Sequence, residues 1–269
     1  MKAVEGIGLS DVNAVYDGAE GDLWELIMGE QIHIGGFKSS VDLAERAGIG
    51  AGQRGVDLCC CSGAGMRFLV HVRDVASMTG IDATRTVVER GRQRCKDEGV
   101  TDRIEFELTD SCATGLPAGK ADFIWGEDAW CYVEEKPKLI AEAVRLAKPG
   151  GTIAFTDWLE GPAGLTDEEA EHLLRFMKFP TLNSIHDYRS LLEKNGCEVL
   201  EAEDTGRFAP YMDLYLNMID MQLTFDAAKI LGFQFEVMGA LAGDMAFLQS
   251  LAHAGKVAQG RFIARTPTA

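Results

Sequence analysis

The run Val56-Asp57-Leu58-Cys59-Cys60-Cys61-Ser62-Gly63-Ala64-Gly65 is an apolar strand entering a turn of small residues, and Asp82 closes a second apolar run 25 residues after Asp57. A tight turn followed by a later carboxylate is how doubly wound α/β folds hold a nucleoside. Backbone N–H groups and a helix N-terminus approach the ligand, and the carboxylate accepts hydrogen bonds from ribose hydroxyls. Asp82 alone could equally cap a helix beginning near Ala83. Its occurrence together with the turn, at this spacing, favours the nucleoside. Further along, Asp110-Ser111 and Glu127-Asp128-Ala129 each follow an apolar run, which puts polar groups on the strand edge where open α/β sheets bind ligands.

Such groups need a parallel sheet behind them. Short apolar runs at 55–60, 76–81, 104–108, 121–125 and 151–156 read as strands, alternating with helical stretches at 65–72, 83–98 and 136–147. This rhythm predicts an α/β, Rossmann-like, doubly wound and mostly parallel seven-stranded sheet. Pro149-Gly150-Gly151 reads as a breaker between the third helix and the fifth strand. Beyond Trp158 come a capped helix start at Leu165-Thr166-Asp167-Glu168-Glu169, a helix from Ser184 to Asn195, and closing strands at 197–202 and 256–264. The Met- and Leu-rich stretch between those strands predicts a helical insert. One domain is expected, with a lid over 1–45, a nucleoside-binding core over 46–160, the rest of the core over 161–208 and 255–269, and the insert over 209–254. The lid reading rests on Tyr16-Asp17-Gly18 and on the segment from Trp24 to Gly36, where glycines can hinge and aromatics exclude water.

Composition excludes several classes. Lys and Arg total 26 against 42 Asp and Glu, a formal net charge of −16, and such a field repels phosphate backbones and anionic lipid. Neither nucleic acid nor a membrane is an expected partner, and a small-molecule substrate is; assembly into a homo-oligomer is left open. No apolar run approaches the roughly 20 residues of a spanning helix, and the first residues lack a signal-peptide core, so a cytoplasmic location is expected. Seven cysteines, an odd number, read as reduced thiols. On an extended segment Cys59, Cys60 and Cys61 alternate between faces and cannot easily close on one metal, so no metal site is expected.

The turn, Asp82, Asp110-Ser111 and Glu127-Asp128-Ala129 together resemble the class I S-adenosylmethionine-dependent methyltransferases. Within them, Glu30-Gln31-Ile32-His33-Ile34-Gly35, Phe123-Ile124-Trp125-Gly126-Glu127-Asp128-Ala129 and Ala254-Gly255-Lys256 are similar to the branch that methylates sarcosine and dimethylglycine. The resemblance implies S-adenosylmethionine as cofactor, bordered by Asp57, Cys59, Cys61, Gly63, Gly65 and Glu127, with Asp82 on the ribose and Asp110 and Ser111 beside the adenine. The family pattern, acidic-x-Gly-x-Gly-x-Gly, carries cysteine here in its first two glycine places. Cys61 adds a side chain where backbone should approach the ligand closely and restricts any positive φ. Either the turn shifts, or the slot for the methionine part is narrower.

Methyl transfer is an in-line displacement that asks mainly for alignment, exclusion of water and an unprotonated nucleophile. Tyr16, His33, Asp128, Trp130 and Tyr132 are the groups expected near the transferred methyl. Aromatic faces stabilise a methylated cation, and a carboxylate or imidazole takes a proton. Trp130 and Tyr132 read equally well as core. The expected acceptor is a small amine such as sarcosine or dimethylglycine. The alternatives are the same fold using a methyl halide as donor with tetrahydrofolate as acceptor, and a non-catalytic nucleoside-binding protein.

Overall fold

A computed structural model describes residues 1–268. The leader begins with β1 (Lys2–Ala3), followed by helices α1 (Leu9–Tyr16), α2 (Ala19–Met28) and α3 (Gly36–Arg46). The βα alternation then starts with β2 (Arg54–Leu58), α4 (Ala64–Arg73), β3 (Ser77–Asp82), α5 (Arg85–Asp97), β4 (Ile104–Leu108), β5 (Ala121–Glu127), α6 (Lys136–Leu146) and β6 (Ala147–Glu160). After it come α7 (Asp167–Met177), β7 (Thr181–Leu182), α8 (Ile185–Lys194) and β8 (Glu198–Asp204). Helices α9 (Phe208–Met218), α10 (Thr224–Ile230) and α11 (Phe235–His253) form the Met-rich insert before the closing strand β9 (Val257–Arg265).

Seven strands make one sheet in the order β4-β3-β2-β5-β6-β9-β8; β9 runs antiparallel to both its neighbours and the other pairings are parallel. The apolar runs become central strands because both faces of the sheet are covered. Leu43, Met66, Leu69 and Val88 pack on one face, and Leu139, Ile140, Tyr188 and Leu192 on the other. A third cluster joins the leader to the insert through Trp24, Ile27, Trp158, Leu173, Met212 and Leu248. The helix starts read at Thr166 and Ser184 are real capping boxes, completed by Glu169 and Asp187.

Two expectations fail locally. Pro149-Gly150-Gly151 does not separate α6 from a strand. It lies inside β6 as an irregularity: Ala147 already pairs with Ala121, and pairing resumes at Thr152 opposite Phe123. Gly150 takes φ +70° there and donates its N–H to the Pro267 carbonyl, so the chain bulges and continues. The cysteines are not on an extended segment either. β2 ends at Leu58, and Cys59 and Cys61 occupy the left-handed region at φ 64° and 49°. The small pair of β1 with β7, antiparallel, has only two residues per strand and carried no readable pattern.

Candidate functional site

β2 lies where the strand order reverses, between β3 and β5, and the crevice beyond the carboxyl ends of these three strands is the natural ligand site of such a sheet. The turn after β2 is tied to its neighbour: Cys60 N–H donates to the Ile81 carbonyl at 3.0 Å and Cys61 N–H to Asp82 Oδ2 at 2.9 Å. Asp82 Oδ1 accepts from Thr84 N–H at 2.8 Å, so the residue braces the start of α5 while it also lines the cleft.

The crevice has three compartments. The largest, about 340 Å³, is lined by Asp82, Asp110 and Ser111 together with Cys59, Cys61 and Cys112, and α1 roofs it through Leu9, Val12 and Tyr16. The second, about 50 Å³, lies between the turn and the leader, with Asp57, Gly65 and Glu127 facing Glu30, Gln31 and His33. The third, about 20 Å³, is enclosed by Tyr16, Trp24, Tyr132 and Trp158 with His33 and Asp128. Tyr16 borders all three, and its hydroxyl donates to that of Tyr132 at 3.3 Å.

Carboxylates dominate the second compartment. Burial, then the neighbouring Glu127 and Asp82, push the Asp57 carboxyl well above its usual range. Asp82 and Asp128 are also raised, first by burial. A cation between these groups would offset their mutual repulsion. Burial disfavours the thiolate of both turn cysteines, pushing Cys61 up to about 12 and raising Cys59 as well. Among the described residues no group of His, Cys, Asp and Glu is arranged to hold a metal ion.

Several site expectations find other placements. Trp130 does not face the crevice. It is fully buried, stacks on Phe155 at 4.0 Å between centroids, and donates its indole N–H to the Leu58 carbonyl at 3.1 Å, because the short helical turn at 130–132 points it under the sheet. Gly63 caps α4 from the left-handed region and faces Phe106 and Met66 rather than a ligand; a Cβ there would come within 2.6 Å of Phe106. Gly65 does border the second compartment, where an added Cβ would lie 2.6 Å from Glu127 Oε2. Asp128 is committed to structure: Oδ2 accepts from Ile34 N–H at 2.8 Å, and Gln259 Nε2 donates to both carboxylate oxygens, at 3.0 and 2.8 Å. Glu127 accepts from Trp125 Nε1 at 3.0 Å and from Ser40 Oγ at 2.7 Å. Sequence reasoning placed Trp24 in the leader segment as a water-excluding aromatic but missed Ser40, Trp158 and Gln259, which no local pattern marks.

The leader is tied to the core by ion pairs. Arg67 of α4 pairs with Glu30, Arg94 of α5 with Glu25, and Arg90 of α5 with Glu25 at 3.2 Å and Asp22 at 3.1 Å. These contacts hold α2 and the following segment over the second compartment. Among the described residues no helix is long and apolar enough to cross a membrane.

Known proteins share this architecture. Residues 56–155 match the family model described as methyltransferase domain. The chain is 28% identical over 214 residues to 27-O-demethylrifamycin SV methyltransferase of Amycolatopsis mediterranei, covering 74% of this chain and 78% of that one. It is 25% identical to phosphoethanolamine N-methyltransferase 1 of Triticum aestivum over 74% of its own length and 38% of that protein's. Among solved structures, a candidate sarcosine dimethylglycine methyltransferase from Galdieria sulphuraria superimposes with TM-score 0.83 at 20% identity, covering 95% of this chain and all of that one.

Proposed function

We propose, for a chain that is a class I S-adenosylmethionine-dependent methyltransferase, that the methyl group goes to a small polar amine, with sarcosine and dimethylglycine the first acceptors to try. The residues present fit the cofactor. The large cleft offers Asp82 for a ribose and Asp110 and Ser111 beside it, and the buried Asp57, whose carboxyl is pushed up beside Glu127 and Asp82, suits the ammonium of a methionine part. Bound there, S-adenosylmethionine supplies a methyl group activated by a positive sulfur.

The single observation that carries the amine is the third compartment. Tyr16, Trp24, Tyr132 and Trp158 surround it, and Asp128 and His33 are its polar groups. Aromatic faces favour a cation within about 6 Å by roughly 0.5–2 kcal/mol, so this chamber favours the charge that develops on a nitrogen receiving a methyl. Its small size and aromatic lining limit the water it can hold, and keeping water from the reacting centre is much of what the displacement asks of a protein. Two relatives fit this reading by name, one acting on phosphoethanolamine and one a candidate for sarcosine and dimethylglycine.

The experiment is methyl transfer from radiolabelled S-adenosylmethionine to a panel of amines and hydroxyl compounds. Label in dimethylglycine, sarcosine or another small amine supports the proposal. Label confined to hydroxyl acceptors overturns it.

A further inference from the structure

We propose that His33 is the catalytic base of the transfer, that its Nδ1 is the atom that receives the acceptor's proton, and that Ser40 and Glu127 fix the ring in the tautomer this needs. The proposal rests on the amine reading above for the identity of the acceptor, and not for the placement of the imidazole.

His33 is 4% exposed, and Nδ1 has no hydrogen-bond partner among the described residues. A buried acceptor or donor left unmade costs about 1–3 kcal/mol, so an orphan of this kind asks for a ligand. The ring borders both the carboxylate compartment beside the turn and the aromatic chamber, which is where a methyl donor and its acceptor would meet. No protein group blocks that role by bonding Nδ1 first.

The other ring nitrogen is spoken for. Nε2 lies 3.2 Å from Ser40 Oγ and 3.3 Å from Glu127 Oε1. Ser40 has one proton, and it goes to Glu127 Oε1 at 2.7 Å. Its oxygen already accepts from Gln31 Nε2 at 2.9 Å, and a hydroxyl oxygen has room for one more donor. Nε2 must therefore carry the hydrogen and give it to Ser40 or to the carboxylate. In a neutral imidazole that leaves a bare lone pair on Nδ1. The backbone holds the residue as firmly, because the His33 carbonyl accepts from Gly36 N–H at 3.1 Å and from Tyr215 Oη at 3.4 Å.

The step balances without a further reagent. The acceptor's ammonium would first pass one N–H proton to Nδ1, the lone pair so freed would form the new C–N bond as the methyl leaves, and the electron pair of the broken C–S bond would stay on sulfur and cancel its positive charge. The imidazolium then formed faces Glu127 and Asp128 from the sheet edge, Asp57 from the end of β2, Glu30 from its own segment, and the hydroxyls of Tyr16 and Tyr132.

The test has two arms. In the protein loaded with S-adenosylhomocysteine, ¹⁵N spectra of the histidine rings, with His33 assigned by its loss in His33→Asn, are expected to show a neutral ring protonated at Nε2 at pH 8. A ring protonated at Nδ1 overturns the proposal whatever the acceptor proves to be. In the second arm, wild type and His33→Asn are compared on whichever amine of the panel takes label. The variant is expected to bind S-adenosylhomocysteine within threefold of wild type and to melt normally. Its kcat is expected to fall by about 100-fold or more, the usual worth of a positioned base, and the acid limb of its pH profile to vanish. A kcat within threefold of wild type, with that limb intact, removes His33 from the chemistry while leaving the amine reading untouched. Turnover of no amine at all sinks the amine reading, and the spectra still decide the role of Nδ1.

Discussion

Cys61 shows how one residue carries both a conformational and a chemical cost. It holds φ 49° where a glycine is the easy choice, and it borders both the large cleft and the carboxylate compartment. A left-handed backbone costs an L-residue about 1–2 kcal/mol, while glycine costs roughly 0.5–1 kcal/mol in extra chain freedom when unfolded. Cys61→Gly is therefore expected to change stability by less than about 1 kcal/mol, since the two effects nearly cancel. The gain falls on the ligand, because removing a half-buried thiol that lines both compartments enlarges the waist between them. Calorimetry is expected to show S-adenosylmethionine bound several-fold more tightly, and weaker binding would mean that the thiol is itself a contact. This residue was legible, since the cysteine stood in a recognisable place in a recognisable turn. Ser40 and Gln259 were not: the first meets Glu127 across 87 positions and the second meets Asp128 across 131, and no local pattern distinguishes a serine or glutamine that will be buried from one that will be solvated. Trp130 was misplaced for a related reason, because the direction in which a three-residue turn aims its indole is set by what lies under it.

At the scale of elements, the strands and the two capping boxes followed from pattern, while the way elements grip one another did not. Helix α6 is joined to the loop after β4 by Glu142, whose Oε1 accepts from both the backbone N–H and the hydroxyl of Thr114 while Arg145 clasps the same carboxylate. The Arg145 hydrogen bond comes first among the causes that depress the Glu142 carboxyl to about 2. A carboxyl lowered on folding stabilises the folded chain above its unfolded value near 4.5, and that contribution is lost as the pH falls from there toward 2. Glu142→Gln is expected to flatten the decline in melting temperature over that window and to leave the curve above pH 6 parallel to wild type. An unchanged acid limb would show that Arg145 does not hold the carboxylate in solution. The ion pairs that hold the leader are an element-scale device as well. Arg67 is 4% exposed and bonds the Ser62 carbonyl besides its two carboxylates, whereas Arg90 is a third exposed. Pairs of the second kind are worth about 0–1 kcal/mol. Glu30→Ala is thus expected to speed proteolysis within residues 1–46 more than Asp22→Ala does, and S-adenosylhomocysteine is expected to protect both. Equal sensitivity of the two variants would show that the buried guanidinium contributes nothing special to holding the leader.

At the scale of the whole molecule, the net charge of −16 and the carboxylates lining the crevice act in the same direction. Asp57, Asp82, Glu30 and Glu127 all front the two larger compartments, so the field outside and the groups inside both draw positive ligands. S-adenosylmethionine carries one more positive charge than S-adenosylhomocysteine and is otherwise nearly the same shape, which makes the pair a measure of that field alone. Screening shortens the reach of charge from about 30 Å at 0.01 M salt to about 3 Å at 1 M. Association followed through tryptophan fluorescence, to which Trp125 contributes from its bond to Glu127, is expected to slow about tenfold or more for S-adenosylmethionine across that range and to change little for the uncharged product. Equal salt dependence for the two ligands would show that the acidic surface serves solubility and not recruitment, and would leave binding to the turn and Asp82 alone.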